Sequence, residues 1–105
     1  YKNKLNNLVC IVDNNDSQIR SLPVEDLGKK FQSFGWKVWD IDGHDIEMIS
    51  RAITDSNPDE KPTAVIANTI KGKGIKEIEN DMFAWHHRAP TDEELERFCE
   101  EIYES

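Results

Sequence analysis

Apolar residues fall along this chain in short unbroken runs and in stripes at helical spacing, with polar clusters between them. Val9-Cys10-Ile11-Val12 is an unbroken run that stops at Asp13-Asn14-Asn15. Lacking polar alternation, Leu8 to Val12 predicts a strand buried on both faces. Asn14 to Pro23 then reads as a loop. Val24, Leu27, Phe31 and Phe34 mark one face of a helix, with Pro23 near its start and Gly35 as its stop. Gly28 weakens that helix slightly. Trp36 to Ile41 predicts a second strand, whose alternation breaks at Trp39 and Ile41 as it does when both faces are partly covered. Asp45 suits the N-cap of a second helix, with Ile46, Ile49 and Ile53 as its buried stripe, Met48 and Ala52 assisting, and Asn57-Pro58 as its end. Thr63 to Asn68, with Ala64-Val65-Ile66-Ala67 at its centre, predicts a third strand. Residues 75–90 have mixed character and read as a long functional loop, or one that needs a partner to order it. Thr91-Asp92-Glu93-Glu94 is a capping box opening a last helix, whose apolar face carries Leu95, Phe98, Cys99 and Ile102.

Strand, helix, strand, helix, strand in that order predicts right-handed crossovers and an α/β fold. The expected form is a fragment of a three-layer sandwich, a short parallel sheet of about three strands flanked by helices. Such a sheet carries Asn14-Asn15, the Asp42-Gly43-His44-Asp45 turn and the Asn68–Gly74 loop to one carboxyl edge, where ligands of open α/β sheets bind. Two readings of Asp13-Asn14-Asn15 fit the residues. Their hard oxygens suit Mg²⁺ or Ca²⁺, and the same residues make ordinary Asx-turns. Lys71-Gly72-Lys73-Gly74 would let a backbone approach an anion closely, or is simply a flexible loop. It is no P-loop, since Ile75 follows the last glycine. Adjacent His86 and His87 do not share a face in regular structure, and a zinc site there would lack further ligands.

Composition narrows the function classes. The 105 residues suffice for one small domain, 1–105. Hydrophobic residues make up 37 % and the net charge is −8, so the core is thin, and nucleic acid and anionic membranes are not expected partners. No apolar run reaches membrane-spanning length, and Tyr1-Lys2-Asn3-Lys4 lacks the apolar segment of a signal peptide. A start on Tyr1 instead of Met is expected of a piece of a longer polypeptide. Cys10 and Cys99 have no metal-ligand spacing and read as reduced thiols in a cytoplasmic protein.

Five motifs then occur in one order. They are Leu5-Asn6-Asn7-Leu8 running into Ile11-Val12-Asp13-Asn14-Asn15, Phe34-Gly35-Trp36-Lys37-Val38, Asp40-Ile41-Asp42-Gly43-His44-Asp45, Lys71-Gly72-Lys73-Gly74, and Trp85 through Leu95. Together they resemble the thiamine-diphosphate-binding N-terminal domain of transketolase, over nearly the whole chain and closest to split N-terminal subunits. The resemblance implies a partial thiamine-diphosphate-binding fold. It implies transfer of a two-carbon ketol unit from a ketose phosphate to an aldose phosphate, with thiamine diphosphate and Mg²⁺ or Ca²⁺ as cofactors. It makes Asn15 and the backbone carbonyl of Ser17 metal ligands, and places Asn14, Asn15, Ser17, Gly72, Gly74 and His86 at the cofactor. His86 is the catalytic candidate, the loop histidine that meets diphosphate and substrate.

Departures from the family pattern shape the expectation. The upstream Gly-Asp-Gly metal motif, the upstream substrate histidines and the pyrimidine-binding domain are missing from this sequence. Arg20-Ser21 replaces the usual Asp-Gly, Asn68 stands where relatives often carry His, and His87 where they carry Gly. The chain alone is therefore expected to turn nothing over and to bind cofactor weakly or undetectably. Its expected partners are the missing transketolase portions and a second copy of itself, because a truncated sheet edge invites self-association. The alternative is a free-standing α/β binding or interaction module that kept the fold and lost the chemistry.

Overall fold

The computed structural model describes residues 5–15, 26–55 and 61–104. The elements are β1 (Val9–Asn14), α1 (Leu27–Ser33), β2 (Lys37–Asp42), α2 (Ile46–Thr54), β3 (Thr63–Asn68), α3 (Lys76–Asn80) and α4 (Asp92–Glu104). They fall into two compact units, Tyr1–Thr69 and Ile70–Ser105. Among the described residues no helix is long and apolar enough to cross a membrane. Ser17, Arg20-Ser21, the Pro23–Val24 helix start and the Asn57-Pro58 stop lie outside the described residues.

The first unit is a three-stranded parallel sheet in the order β1-β3-β2 with helices on it, the α/β architecture expected. β3 takes the centre because it can be covered on both faces. Val65, Ala64 and Ile66 are at most 1 % exposed. Its register places Asn14 and Asp42 on either side of Asn68. Trp39, Ile41 and Val65 share the face that receives Met48, Ile49 and Ala52 of α2. The opposite face of β2 meets α1 at Gly28, where an added Cβ would lie 3.5 Å from Val38 and 3.3 Å from Asp26. Gly28 thus costs some helix propensity but admits this close approach. Lys37 ties the start of β2 to Asp55 at the end of α2, at 2.6 Å.

Local signals close the helices: the Asp45 cap and the Gly35 stop are as expected, whereas α1 opens at Leu27 behind Asp26 and not near Pro23. Asp26 accepts from the Lys29 N–H and Asp45 from the Met48 N–H, each capping its helix. Gly35, at φ 87°, follows α1 and donates to the Gln32 carbonyl. Trp36 lies before β2 and sets its ring edge-on to Phe31, centroids 5.3 Å apart.

Four apolar assignments need correction. β1 is an edge strand and not buried on both faces: Val9 and Ile11 are exposed, Ile11 by 56 %. Both α1 and α2 pack on β2 and β3, so the unbroken apolar pattern finds its doubly covered strand in β3. The buried side of α2 is Met48, Ile49 and Ala52; Ile46 and Ile53 lie on its flank and are exposed. Phe34 is exposed at the end of α1, beyond the last residue facing the sheet. On α4 only Phe98 of the predicted stripe is buried, while Leu95, Cys99 and Ile102 are exposed.

The second unit replaces part of the predicted 75–90 loop with α3 and a run of turns over 81–87. α3 lacks a side-chain cap of its own. Glu101 of α4 supplies one, accepting from the Lys76 N–H at 3.0 Å, and Arg97 pairs with Glu77 at 3.0 Å. A cap drawn from a distant helix leaves no local signal, which is why the short helix is not legible in its own residues.

Candidate functional site

The carboxyl end of the sheet is a connected row of amides and carboxylates. Asn14 Nδ2 donates to Asn68 Oδ1 at 2.9 Å. Asn68 Nδ2 donates in turn to Asp40 Oδ1 and to the Ile41 carbonyl. The Asn68 amide therefore spans all three strands and uses both its donors and its acceptor. Next to it, the Thr69 hydroxyl donates to Asp13, and the Gly43 N–H donates to the Asn68 carbonyl at 2.7 Å. A Cβ on Gly43 would stand 2.4 Å from the Thr69 methyl, so this turn closes only on glycine. The Asp42 carboxylate accepts from the His44 N–H at 2.9 Å, which braces the Asp42–Asp45 turn from within.

Asn14 and Asn15 thus stand at the strand tip, where the apolar run ends, both half-buried. Amide oxygens fit a hard divalent cation. Among the described residues no group of three or more His, Cys, Asp or Glu could hold a metal, so a cation there would depend on amide and backbone oxygens and on ligands from elsewhere. Sequence reasoning missed Asp13, Asp40, Asn68 and Thr69 as partners of this row. The strand register sets these residues side by side, and no local pattern carries that register.

In the second unit the two glycines of Lys71–Gly74 differ. Both have positive φ, 79° at Gly72 and 102° at Gly74. A Cβ on Gly72 would lie 2.1 Å from Ile78 Cγ2, so the approach of α3 already accounts for that glycine. Nothing lies within 4 Å of a Cβ on Gly74, so only its positive φ calls for glycine there. The Gly74 N–H is already bonded to Glu79 at 3.1 Å, so Gly74 offers room and not a donor.

His86 follows Trp85, which is buried and set edge-on to Phe98 with centroids 5.4 Å apart. Arg88 lies 4.0 Å over the Trp85 ring and donates to both Glu94 oxygens at 2.6 Å. Glu94 also closes the capping box: it accepts from the Thr91 N–H while its own N–H donates to the Thr91 hydroxyl. The Thr91 N–H above all lowers its carboxyl below the usual carboxylate range; burial opposes this, and the Arg88 bond adds to the lowering. The turn that carries His86 is thereby tied to α4 by Trp85 on Phe98 and by Arg88 on Glu94. Lys71 Nζ lies 2.8 Å from His86 Nδ1, a partner that sequence reasoning did not identify. The His86 and His87 rings do meet, edge to face at 4.4 Å, because the backbone there is a turn and not a regular element.

Comparison with known proteins follows the same motifs. The family described as transketolase, thiamine diphosphate binding domain, matches residues 2–101. The chain is similar to one subunit of the apulose-4-phosphate transketolase of Actinobacillus succinogenes, 38 % identical over 104 residues, covering 94 % of this chain and 37 % of that protein. The corresponding subunit from Phocaeicola vulgatus is 35 % identical over 107 residues, covering 96 % of this chain and 38 % of its own length. Mouse transketolase is 37 % identical over 105 residues, which cover 95 % of this chain and 16 % of that protein. The chain thus spans less than two-fifths of the length of these relatives, and over that span it belongs to the transketolase thiamine diphosphate binding domain family.

Proposed function

We propose that this chain is the C-terminal part of the thiamine-diphosphate-binding domain of a transketolase-type transferase, and that it acts only when other polypeptide portions complete it. The reaction is transfer of a two-carbon ketol unit from a ketose phosphate to an aldose phosphate. The observation that carries the reading is the His86 loop. Its histidine is bonded to Lys71 in a turn whose Trp85 and Arg88 pack on and pair with α4, inside a segment matched by the family.

Thiamine diphosphate, when bound, supplies the carbon nucleophile, and the protein supplies orientation and charge balance. In this chain Asn15 and the Ser17 carbonyl would hold Mg²⁺ or Ca²⁺. Asn14 would stand beside the metal-bound diphosphate, its amide steadied by Asn68. Gly72 and Gly74 would pass close to an anionic group, and His86 would donate to it. The acidic chain, net charge −8, needs such a cation to accept a diphosphate. Relatives that are themselves single subunits of a transketolase support completion by a further polypeptide, in addition to the upstream Gly-Asp-Gly portion and a pyrimidine-binding domain. The exposed Val9 and Ile11 of β1 support self-association of the chain when it stands alone.

The test is to graft residues 2–101 in place of the matching segment of the Actinobacillus succinogenes relative and to assay ketol transfer with its partner subunit. The isolated chain should show no turnover and little thermal shift with thiamine diphosphate and Mg²⁺. The graft should regain cofactor-dependent turnover. A folded graft without activity, or ketol transfer by the isolated chain, would overturn the proposal.

A further inference from the structure

The contact between Lys71 and His86 fixes more than the position of a ring. A lysine ammonium carries three donors and no acceptor, whereas a neutral imidazole has one nitrogen of each kind. At 2.8 Å, Lys71 Nζ and His86 Nδ1 are within hydrogen-bond range. A proton on Nδ1 would face an ammonium proton, so the bond forms only if Nδ1 presents its lone pair. The imidazole proton then resides on Nε2. The geometry assigns Lys71 as a positioning residue that holds His86 in the Nε2–H tautomer, so that the other nitrogen of this ring is a hydrogen-bond donor.

The turn that carries the ring is held at several points. The His86 N–H donates to the Phe83 carbonyl at 3.3 Å, and the His87 ring crosses that of His86 at 79°. On either side of the histidine pair, Trp85 and Arg88 are tied to Phe98 and Glu94. Rotation of the imidazole would therefore break the Lys71 bond and the contact with His87 together. The bond made by one ring nitrogen commonly sets whether the other meets a ligand as donor or acceptor.

The tautomer decides which ligand chemistry the ring accepts. An Nε2–H donates to an anionic oxygen, as of phosphate, diphosphate or carboxylate, and turns away ammonium and amide donors. That this oxygen belongs to a diphosphate rests on the proposed function above. The tautomer itself does not.

The experiment is long-range ¹H–¹⁵N correlation on the ¹⁵N-labelled full chain at about pH 8.5, where histidines are neutral. His44→Gln and His87→Gln variants assign the His86 signals. Wild type should show one His86 tautomer, protonated at Nε2. Lys71→Arg should retain it, since guanidinium also only donates. Lys71→Met should release a mixture, and Lys71→Glu should move the proton to Nδ1, since a carboxylate only accepts. Circular dichroism verifies that each variant is folded; should Lys71→Glu fail to fold, wild type and Lys71→Met decide the matter. A wild-type His86 protonated at Nδ1, or identical tautomer populations in wild type and Lys71→Met, would overturn the assignment. A parallel titration with thiamine diphosphate and Mg²⁺ tests the function separately, so that either result can fail without the other.

Discussion

The Asn14 side-chain amide donates to the Asn68 side-chain oxygen at 2.9 Å, across the last rung of the β1–β3 ladder. This bond makes Asn68 the hinge-pin of the strand tips, because its own amide nitrogen serves Asp40 and Ile41 of β2. Asn68→Ala should lower unfolding free energy by about 1–2 kcal/mol, as removal of partly exposed hydrogen bonds does. Asn68→Asp should cost more at neutral pH, because it sets a carboxylate against Asp40 where the amide nitrogen donated. Urea unfolding of both variants checks this.

The two loop glycines should respond unequally to the same change. Gly72→Ala meets both a positive φ and Ile78, whose atoms would lie 2.1 and 2.5 Å from the new Cβ. Gly74→Ala meets only the positive φ, at a cost of about 1–2 kcal/mol. Thermal unfolding should therefore rank Gly72→Ala well below Gly74→Ala. Adding Ile78→Ala should recover part of the first loss and none of the second.

Glu94 gives the fold an acid-sensitive cap. Its folded-state pKa lies below the ordinary 4.5, so its contribution is present above that value and fades as pH falls through the depressed one. Melting temperatures followed from neutral pH down past 4.5 should drop more steeply in wild type than in Glu94→Gln. At neutral pH the variant should be the less stable of the two, since it weakens both the capping box and the Arg88 pair.

Phe98 is the one deeply buried side chain of α4 among the described residues, at 4 % exposure. Phe98→Ala should cost about 3–5 kcal/mol. It should also red-shift the fluorescence of Trp85, read as the difference from a Trp85→Phe background. An unshifted spectrum would mean that the indole does not depend on this contact.

The sequence patterns reached different depths in different parts of the fold. Thr63 to Asn68 was legible as a strand to the residue because an unbroken apolar centre is bounded there by polar turns, but its central place was not. Asp45 and the Thr91–Glu94 box were legible because caps act over three residues. The Val9 run misled, since the same composition can fill an edge, and which strand lies central is decided by where the helices pack. Ile46 and Ile53 misled for the same reason. At the site, the motif order pointed to the family and to His86. The Lys71 bond and the Asn14–Asn68–Asp40 row depend on register and turn geometry, which no local pattern encodes.

Whether this segment can build a thiamine diphosphate site is read most directly by calorimetric titration of the grafted protein with the cofactor in Mg²⁺, beside its His86→Ala variant. The graft should bind saturably, and the variant should bind at least about tenfold more weakly, a loss of roughly 1.4 kcal/mol. A folded graft that takes up no cofactor, or a His86→Ala variant that binds as tightly as its parent, would contradict that reading.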